Sequence, residues 1–511
     1  MPAATGIHWS QAFVQTYGAG LNCQCSKLFF GSPDYPTRTF LVPYIGFGLT
    51  DGRNAPRETI IPDTDILIDE AFFIHPDGTE YPILFSGIPS AAVEAATGVA
   101  FGLVTLPADL PSWSIYGIRT VWHGEVGHTY IGGYKVQRHR GEKYWAAGDL
   151  ASVRALAALN DVSTPDRDPE ENYNIVANAT ATQPPAFGPA QIFAKGGYDG
   201  RPVACVLSDS LVERQEIAAS ADPRRNMGII ARWLDKPDPV WGSIPHIFMG
   251  LPGAKAQNEL QPNALLRWDS FLDVVKNTYN GGKNPWTFVL DQIGRNDNHP
   301  DASVWLGFKT SNARRLKTRY GAETRIVAMT IPPTATTSDD RTTVAGYSVT
   351  TLWDSVRGTL KAVNDGIKAH PDYAATIDLC IAFASDVDPL KPPAAEMFPL
   401  GNVVTHPDNQ DEVTLLRTIR LPSAVPLGSD VKIEYQPGTY FNRTLIARDD
   451  RGDGTADYGV AQAFPDKVQD GARIWGNAMN NDNNSVIHPL LHGVLWTVGR
   501  LPQSEKEKFY T

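Results

Sequence analysis

The run Val203-Ala204-Cys205-Val206-Leu207-Ser208-Asp209-Ser210-Leu211 decides the fold. Its first part is apolar without alternation and without Gly or Pro, which predicts a strand covered on both faces, as in a parallel sheet. Its second part turns polar at once, so the strand delivers Ser210 to a sheet edge. Comparable runs follow at Ile247 to Leu251, Thr287 to Ile293, Arg325 to Ile331 and Ile377 to Phe383. Between them the apolar residues recur at a helical period: Leu265, Leu266, Trp268, Phe271, Leu272 and Val275, then Leu352, Trp353, Val356, Leu360, Val363 and Ile367. Strands alternating with helices predict an α/β unit over residues 196–511, a doubly wound parallel sheet in three layers, with its ligand site beyond the carboxyl ends of the strands. β-like segments at Val431 to Tyr435 and Tyr440 to Ala447 mark an insertion at about 390–470.

Upstream the pattern is different. Short β-like runs are broken by Gly, Pro and Asp, most clearly Ala71-Phe72-Phe73-Ile74, His75-Pro76-Asp77-Gly78, Tyr81-Pro82-Ile83-Leu84-Phe85, where Asp-Gly between two apolar runs predicts a hairpin. With further runs at Trp113 to Trp122 and Thr129 to Gln137, residues 1–195 read as a β-sandwich accessory unit. Its last part, 160–195, rich in Pro, Asp, Asn and Thr, reads as a linker or a loosely attached strand, and the whole unit is expected to take little part in bond cleavage.

A chain of 511 residues exceeds what one core usually spans, in keeping with two or more units. The net charge of -11 with scattered basic residues argues against a nucleic-acid partner, and the short run Lys135 to Lys143 reads as a solvated face. No stretch is apolar enough to span a bilayer as a helix. The start, Met1-Pro2-Ala3-Ala4-Thr5-Gly6, lacks a signal-peptide pattern, so the expected location is the cytoplasm, or outside the cell for a chain read without its leader. Cys205 and Cys380 sit in apolar, strand-like runs, and Cys23-x-Cys25 has no second pair at metal spacing, so no zinc site is expected.

Serine-dependent ester hydrolysis needs a nucleophile at a strand end, a histidine to take its proton and donors for the oxyanion. Ser208-Asp209-Ser210 closes the first strand, though taken alone it is also an ordinary turn capping the next helix. Met249-Gly250-Leu251-Pro252-Gly253-Ala254 closes the second, and Ile293-Gly294-Arg295-Asn296-Asp297 the third. Near the C-terminus, Ser485-Val486-Ile487-His488-Pro489 brings a histidine just ahead of an expected final helix. Four blocks in this order resemble the SGNH (GDSL-type) hydrolases over roughly residues 200–500. Ser208-Asp209-Ser210 is similar to the family's Gly-Asp-Ser block, Gly253 to its second-block glycine, Gly294-Arg295-Asn296-Asp297 to its Gly-x-Asn-Asp block, and His488-Pro489 to its His-Pro.

The resemblance implies an SGNH-like, flavodoxin-like hydrolase fold and a cofactor-free serine esterase. In it Ser210 is the nucleophile, the Ser210 and Gly253 amides and the Asn296 side chain hold the oxyanion, and His488 is the general base. The chain departs from the family at Ser208, where a glycine is usual, and at Ser485, where the triad acid is usual. Asp482 is then the nearest carboxylate for that role, beside a Ser–His dyad as the alternative. His492, His299 and the His406-Pro407 pair are weaker candidates. Asp449, Asp453 and Asp457 around Gly452-Asp453-Gly454 have a calcium-loop spacing, but Arg451 falls where a ligand is wanted, and a plain acidic hairpin is the preferred reading. The expected substrate is a carboxylic ester, an O-acetylated carbohydrate first. A lipid or acyl-thioester hydrolase, or an inactive carbohydrate-binding or structural protein on the same fold, are the alternatives.

Overall fold

The computed structural model describes residues 13–49, 58–59, 65–94, 98–132, 134–135, 142–160, 185–209, 224, 226, 228–250, 253–261, 264, 266–402, 418–423, 425, 430–436, 439–460, 473–476, 479–482, 485–489 and 497–510. Ahead of residue 196 the short runs pair antiparallel. Thr37–Ile45 lies between Val99–Leu110 and Phe193–Lys195 in one sheet. Cys23–Gly31 lies between Ile115–His123 and Lys143–Ala147 in another, which continues through Asp65–Ile74 to Glu80–Pro82. The sheets meet through aromatic side chains: the rings of Phe40 and Phe73 are 4.8 Å apart, and the Tyr44 hydroxyl is 2.9 Å from Thr120 Oγ1.

The expected hairpin forms between Asp65–Ile74 and Glu80–Pro82, with Gly78 at φ 86° and Asp77 accepting a 2.8 Å bond from the Thr79 amide. A helix the sequence reading did not anticipate, α1 (Leu150–Asn160), covers the outer face of the second sheet, over Cys23, Cys25 and Trp145. Of the stretch read as a linker, Pro185–Ala186 pairs with Tyr134–Lys135 and Phe193–Lys195 with the Thr37–Ile45 strand.

The later unit is built on five parallel strands: β1 (Ala204–Ser208), β2 (His246–Gly250), β3 (Phe288–Asp291), β4 (Arg325–Met329) and β5 (Ala375–Ile377). Their spatial order is β2-β1-β3-β4-β5. Alternate residues serve opposite faces, as strand geometry requires. Cys205, Leu207, Val289 and Ile326 join a core completed by α4 (Leu266–Val274), α5 (Ala302–Tyr320) and α6 (Thr359–Ala369). Ala204, Val206, Leu290 and Val327 join a second core with α2 (Gly228–Asp235), α7 (Leu379–Phe383) and Phe509. Both faces are therefore covered, which is why these strands are apolar throughout.

Two expected elements are shifted. The run read as a strand from Ile377 to Phe383 is a strand only to Ile377. Asp378 then caps α7 by accepting from the Ile381 amide, so Cys380 is helical. The helix read from Leu352 begins at Thr359, because Asp354 accepts 2.8 Å bonds from both the Val356 and Arg357 amides and turns the chain there.

The first core does not stop at residue 196. It runs from the sheet around Phe40 and Tyr44 into the face beneath α4, with Phe101 stacked on Phe271 at 6.0 Å. Arg201 also donates to Asp34 at 2.6 Å and to the Ser243 carbonyl. Five strands of the 390–470 stretch, among them Asp430–Gln436 and Thr439–Asp450, form a further antiparallel sheet together with Arg473–Gly476, which lies just beyond it. Among the described residues no helix is long and apolar enough to cross a membrane.

Candidate active site

The chain leaves β1, forms β2 on one side, then crosses back to form β3 on the other. The reversal opens the carboxyl edge between β1 and β3, where ligands of such sheets sit. Here β1 ends at Ser208 and the described chain reaches Asp209, both fully buried. Ser210 lies outside the described residues, one position beyond. The Asp209 amide donates a 3.1 Å bond to Gln292 Oε1, which ties the exit of β1 to that of β3.

The turn after β3 is held from every side. Gly294 has φ 126°, open to glycine and strained for other residues, and its carbonyl accepts a 2.6 Å bond from the buried Trp305 indole. Lys309 is fully buried and donates to the carbonyls of Asp291 (3.2 Å) and Ile293 (2.8 Å), while its ammonium lies 3.1 Å from Asp291 Oδ1. Burial pushes the Asp291 carboxyl up, and Lys309 works against that shift.

Arg295, Asn296 and Asp297 form one short 3-10 turn. Asn296 Nδ2 donates a 3.0 Å bond to the Ala254 carbonyl. An amide nitrogen carries two hydrogens, so one is left to direct toward a ligand. Asp297 accepts from the Ala256 amide at 2.8 Å and the Gln257 amide at 3.0 Å, both at the start of α3 (Ala256–Glu259). Gly253, at φ 74°, lies just ahead of this helix. The Gly253 and Asn296 blocks are thus bonded to one another.

Arg295 is 3% exposed, rests on the Trp353 ring at 5.2 Å and feels the Asp209 charge. Burial pulls its guanidinium down to about 10, against the opposing pull of Asp209. Its two terminal nitrogens, with Ser208 Oγ and Gln292 Nε2, are buried without hydrogen-bond partners among the described residues.

The backbone of His488 lies in the strand Ser485–Pro489, which pairs with Ala335–Thr337, the segment leaving the carboxyl edge beyond β4. Helical residues follow from 497, and 490–496 lie outside the described residues. Asp482 pairs opposite Ser485 in a hairpin. Three residues at about 3.4 Å each put His488 roughly 10 Å further along that strand.

His299 accepts from the Asp301 amide at 3.1 Å. His492 and His406 lie outside the described residues. The acidic stretch is a hairpin in which Asp449 pairs opposite Asp457. Asp457 is taken by Arg420 at 2.7 Å and by Arg451, and Asp453 accepts from the Thr455 amide at 2.9 Å. Two guanidiniums on Asp457 leave a hard cation short of its third carboxylate. Cys23, Cys25, Cys205 and Cys380 are free thiols, and among the described residues no cluster of His, Cys, Asp or Glu is set to hold a metal.

The sequence reading missed Gln292, Lys309 and the bridging part of Asp297. Lys309 carried a signal: Trp305, Lys309 and Ala313 follow at four-residue steps, so a lysine stands in the buried stripe of α5.

No protein-family model matches the chain, and no curated protein matches it in sequence. Among solved structures it is similar to a family two carbohydrate esterase from Clostridium thermocellum in complex with cellohexaose, at 10% identity and a TM-score of 0.24, over 72% of this chain and 88% of that one. A family two carbohydrate esterase from Cellvibrio japonicus aligns at 10% identity and a TM-score of 0.24, over 76% and 91% of the two chains. A possible lipase from Chitinophaga pinensis aligns at 12% identity and a TM-score of 0.25, over 59% and 96%.

Proposed function

We propose that this chain is a serine carboxylic-ester hydrolase of SGNH-like, flavodoxin-like fold, with Ser210 as nucleophile and His488 as its base. Ser210 attacks the ester carbonyl, His488 takes its proton and returns it to the leaving alcohol, and water then releases the acyl group by the same route. The Ser210 and Gly253 amides and the Asn296 side chain hold the oxyanion. An O-acetylated carbohydrate is the first substrate to try, on the analogy of β-rich units that accompany polysaccharide-directed esterases.

The observation that carries this reading is the bond from Asn296 to the Ala254 carbonyl, at the edge beside the exit of β1. It fixes a side-chain amide with a hydrogen to spare in the turn after β3, the strand whose exit is tied to that of β1 by the bond from the Asp209 amide to Gln292. A donor fixed in advance stabilises developing charge without reorganising, which is where most of the rate enhancement in acyl transfer arises. Because the hairpin register keeps Asp482 opposite Ser485, the working form of the base is a Ser210–His488 dyad, with Asp482 tested for the third place.

The test is turnover of p-nitrophenyl acetate beside p-nitrophenyl octanoate, with Ser210→Ala as control. Turnover of the acetate that is lost in Ser210→Ala supports the reading. A preference for the octanoate moves the substrate to lipids or long acyl chains. A folded protein inactive on both esters is a binding or structural protein.

A further inference from the structure

We infer that Asp297 is a positioning residue that sets the spacing between the two proposed oxyanion donors outside the nucleophile block, Gly253 and Asn296; this rests on the ester-hydrolase reading. The two donors come from separate loops, one after β2 and one after β3. In the sheet order those strands are not neighbours, since β1 stands between them. Their ladder bonds therefore cannot fix the gap between the loops, and something must bridge it.

Asp297 does so. It follows Asn296 in the same 3-10 turn, and its two carboxylate oxygens take the amides of Ala256 and Gln257, three and four residues after Gly253. Asn296 completes the bridge through the Ala254 carbonyl. A carboxylate accepting two N–H bonds at once fixes orientation as well as distance, which one bond does not. Asp297 is buried, 7% exposed as a residue, so little water competes for those amides. On the β3 side the turn is anchored by Lys309 and Trp305, so any slack in the bridge falls on the β2 loop, where Gly253 sits.

The substitution that isolates this role is Asp297→Asn, which keeps size but offers one acceptor where two amides wait. For an ester substrate the expected result is a fall in kcat of up to about a hundredfold, the scale set by an ångström of misplacement, with KM changed by less than about threefold. The loss should nearly vanish in an Asn296→Ala background, because a hole already short of a donor gains little from correct spacing.

Equal losses in both backgrounds, or a loss confined to KM, overturn the inference and leave Asp297 a structural residue. Should Asp297→Asn not fold, Ala256→Pro removes one of the two donors. Proline is accepted at the first helical position, and Lys255 before it is already extended at φ -119°, ψ 139°. A smaller fall in kcat in that variant supports the bridge, and failure of both variants to fold overturns it. Wild-type turnover with an unchanged Asp297→Asn defeats this inference alone. Absence of both turnover and fluorophosphonate labelling in the wild type defeats the ester-hydrolase reading beneath it.

Discussion

The antiparallel region and the parallel sheet use buried charge in opposite ways. Among the described residues ahead of 196, the buried charged side chains are Lys27 and Glu142, and Glu142 serves the backbone by accepting from the Phe29 amide at 3.2 Å. At the carboxyl edge of the parallel sheet, Asp209, Asp291, Arg295, Asp297 and Lys309 are all buried along two neighbouring strand exits. Burying charge costs stability unless each group is paired and bonded, so a fold that gathers five such groups at one edge gives up stability there. The difference teaches where to look for chemistry: the antiparallel region is organised for packing, the edge for polarity.

The sharpest way to break this comparison is to remove the proposed nucleophile. Ser210→Ala should lower ester turnover by at least about ten-thousandfold with the circular dichroism spectrum unchanged. Near wild-type turnover in that variant excludes Ser210. Asn296→Ala comes next, with an expected loss of about a hundred- to a thousandfold in kcat. A loss below tenfold removes Asn296 from the oxyanion hole.

Asp297 also gives a pH signature. Burial holds its carboxyl up at about 6 against an ordinary value of 3.8, with Lys309 and Lys255 as the nearby cations pulling the other way. A carboxyl raised on folding stabilises the folded state while protonated, so its contribution is complete below about pH 4 and is lost as pH rises through about 6. Some two pKa units correspond to about 3 kcal/mol. Urea unfolding of wild type minus Asp297→Asn should therefore fall by about that amount between pH 4 and pH 7. A difference that stays flat with pH contradicts the burial argument.

In the antiparallel region the same kind of substitution should touch stability alone. Ser26 is fully buried and donates a 2.7 Å bond to the Phe187 carbonyl. Ser26→Ala should cost about 1–2 kcal/mol of stability and leave kcat unchanged. A kcat change beyond threefold would bring that region into the reaction. The smallest effect is expected for Asp482→Asn, under about threefold in kcat, since its register faces Ser485. A loss of about a thousandfold would instead assign it the triad carboxylate.

Much of this is legible in the sequence. The apolar runs of β1 to β4 announced strands covered on both faces, and the helical spacing of Leu360, Val363 and Ile367 announced their cover. Polar residues at the ends of β1 and β3 marked the edge. What local patterns could not carry was contact across distance. Nothing in the neighbourhood of Asp297 announces that it takes amides some forty positions earlier. Phe101 looks like any strand residue until it stacks on Phe271 and joins two regions that composition had divided. The Ile377 to Phe383 run misled because a single capping aspartate, Asp378, outweighed the six apolar residues around it.

The most direct test of the central claim is fluorophosphonate labelling of the intact chain followed by peptide mapping. The account predicts one adduct, on the peptide carrying Ser210, absent in Ser210→Ala and formed more slowly in Asn296→Ala and Asp297→Asn. A folded wild-type protein that takes no label, or one whose adduct maps elsewhere and survives Ser210→Ala, would contradict it.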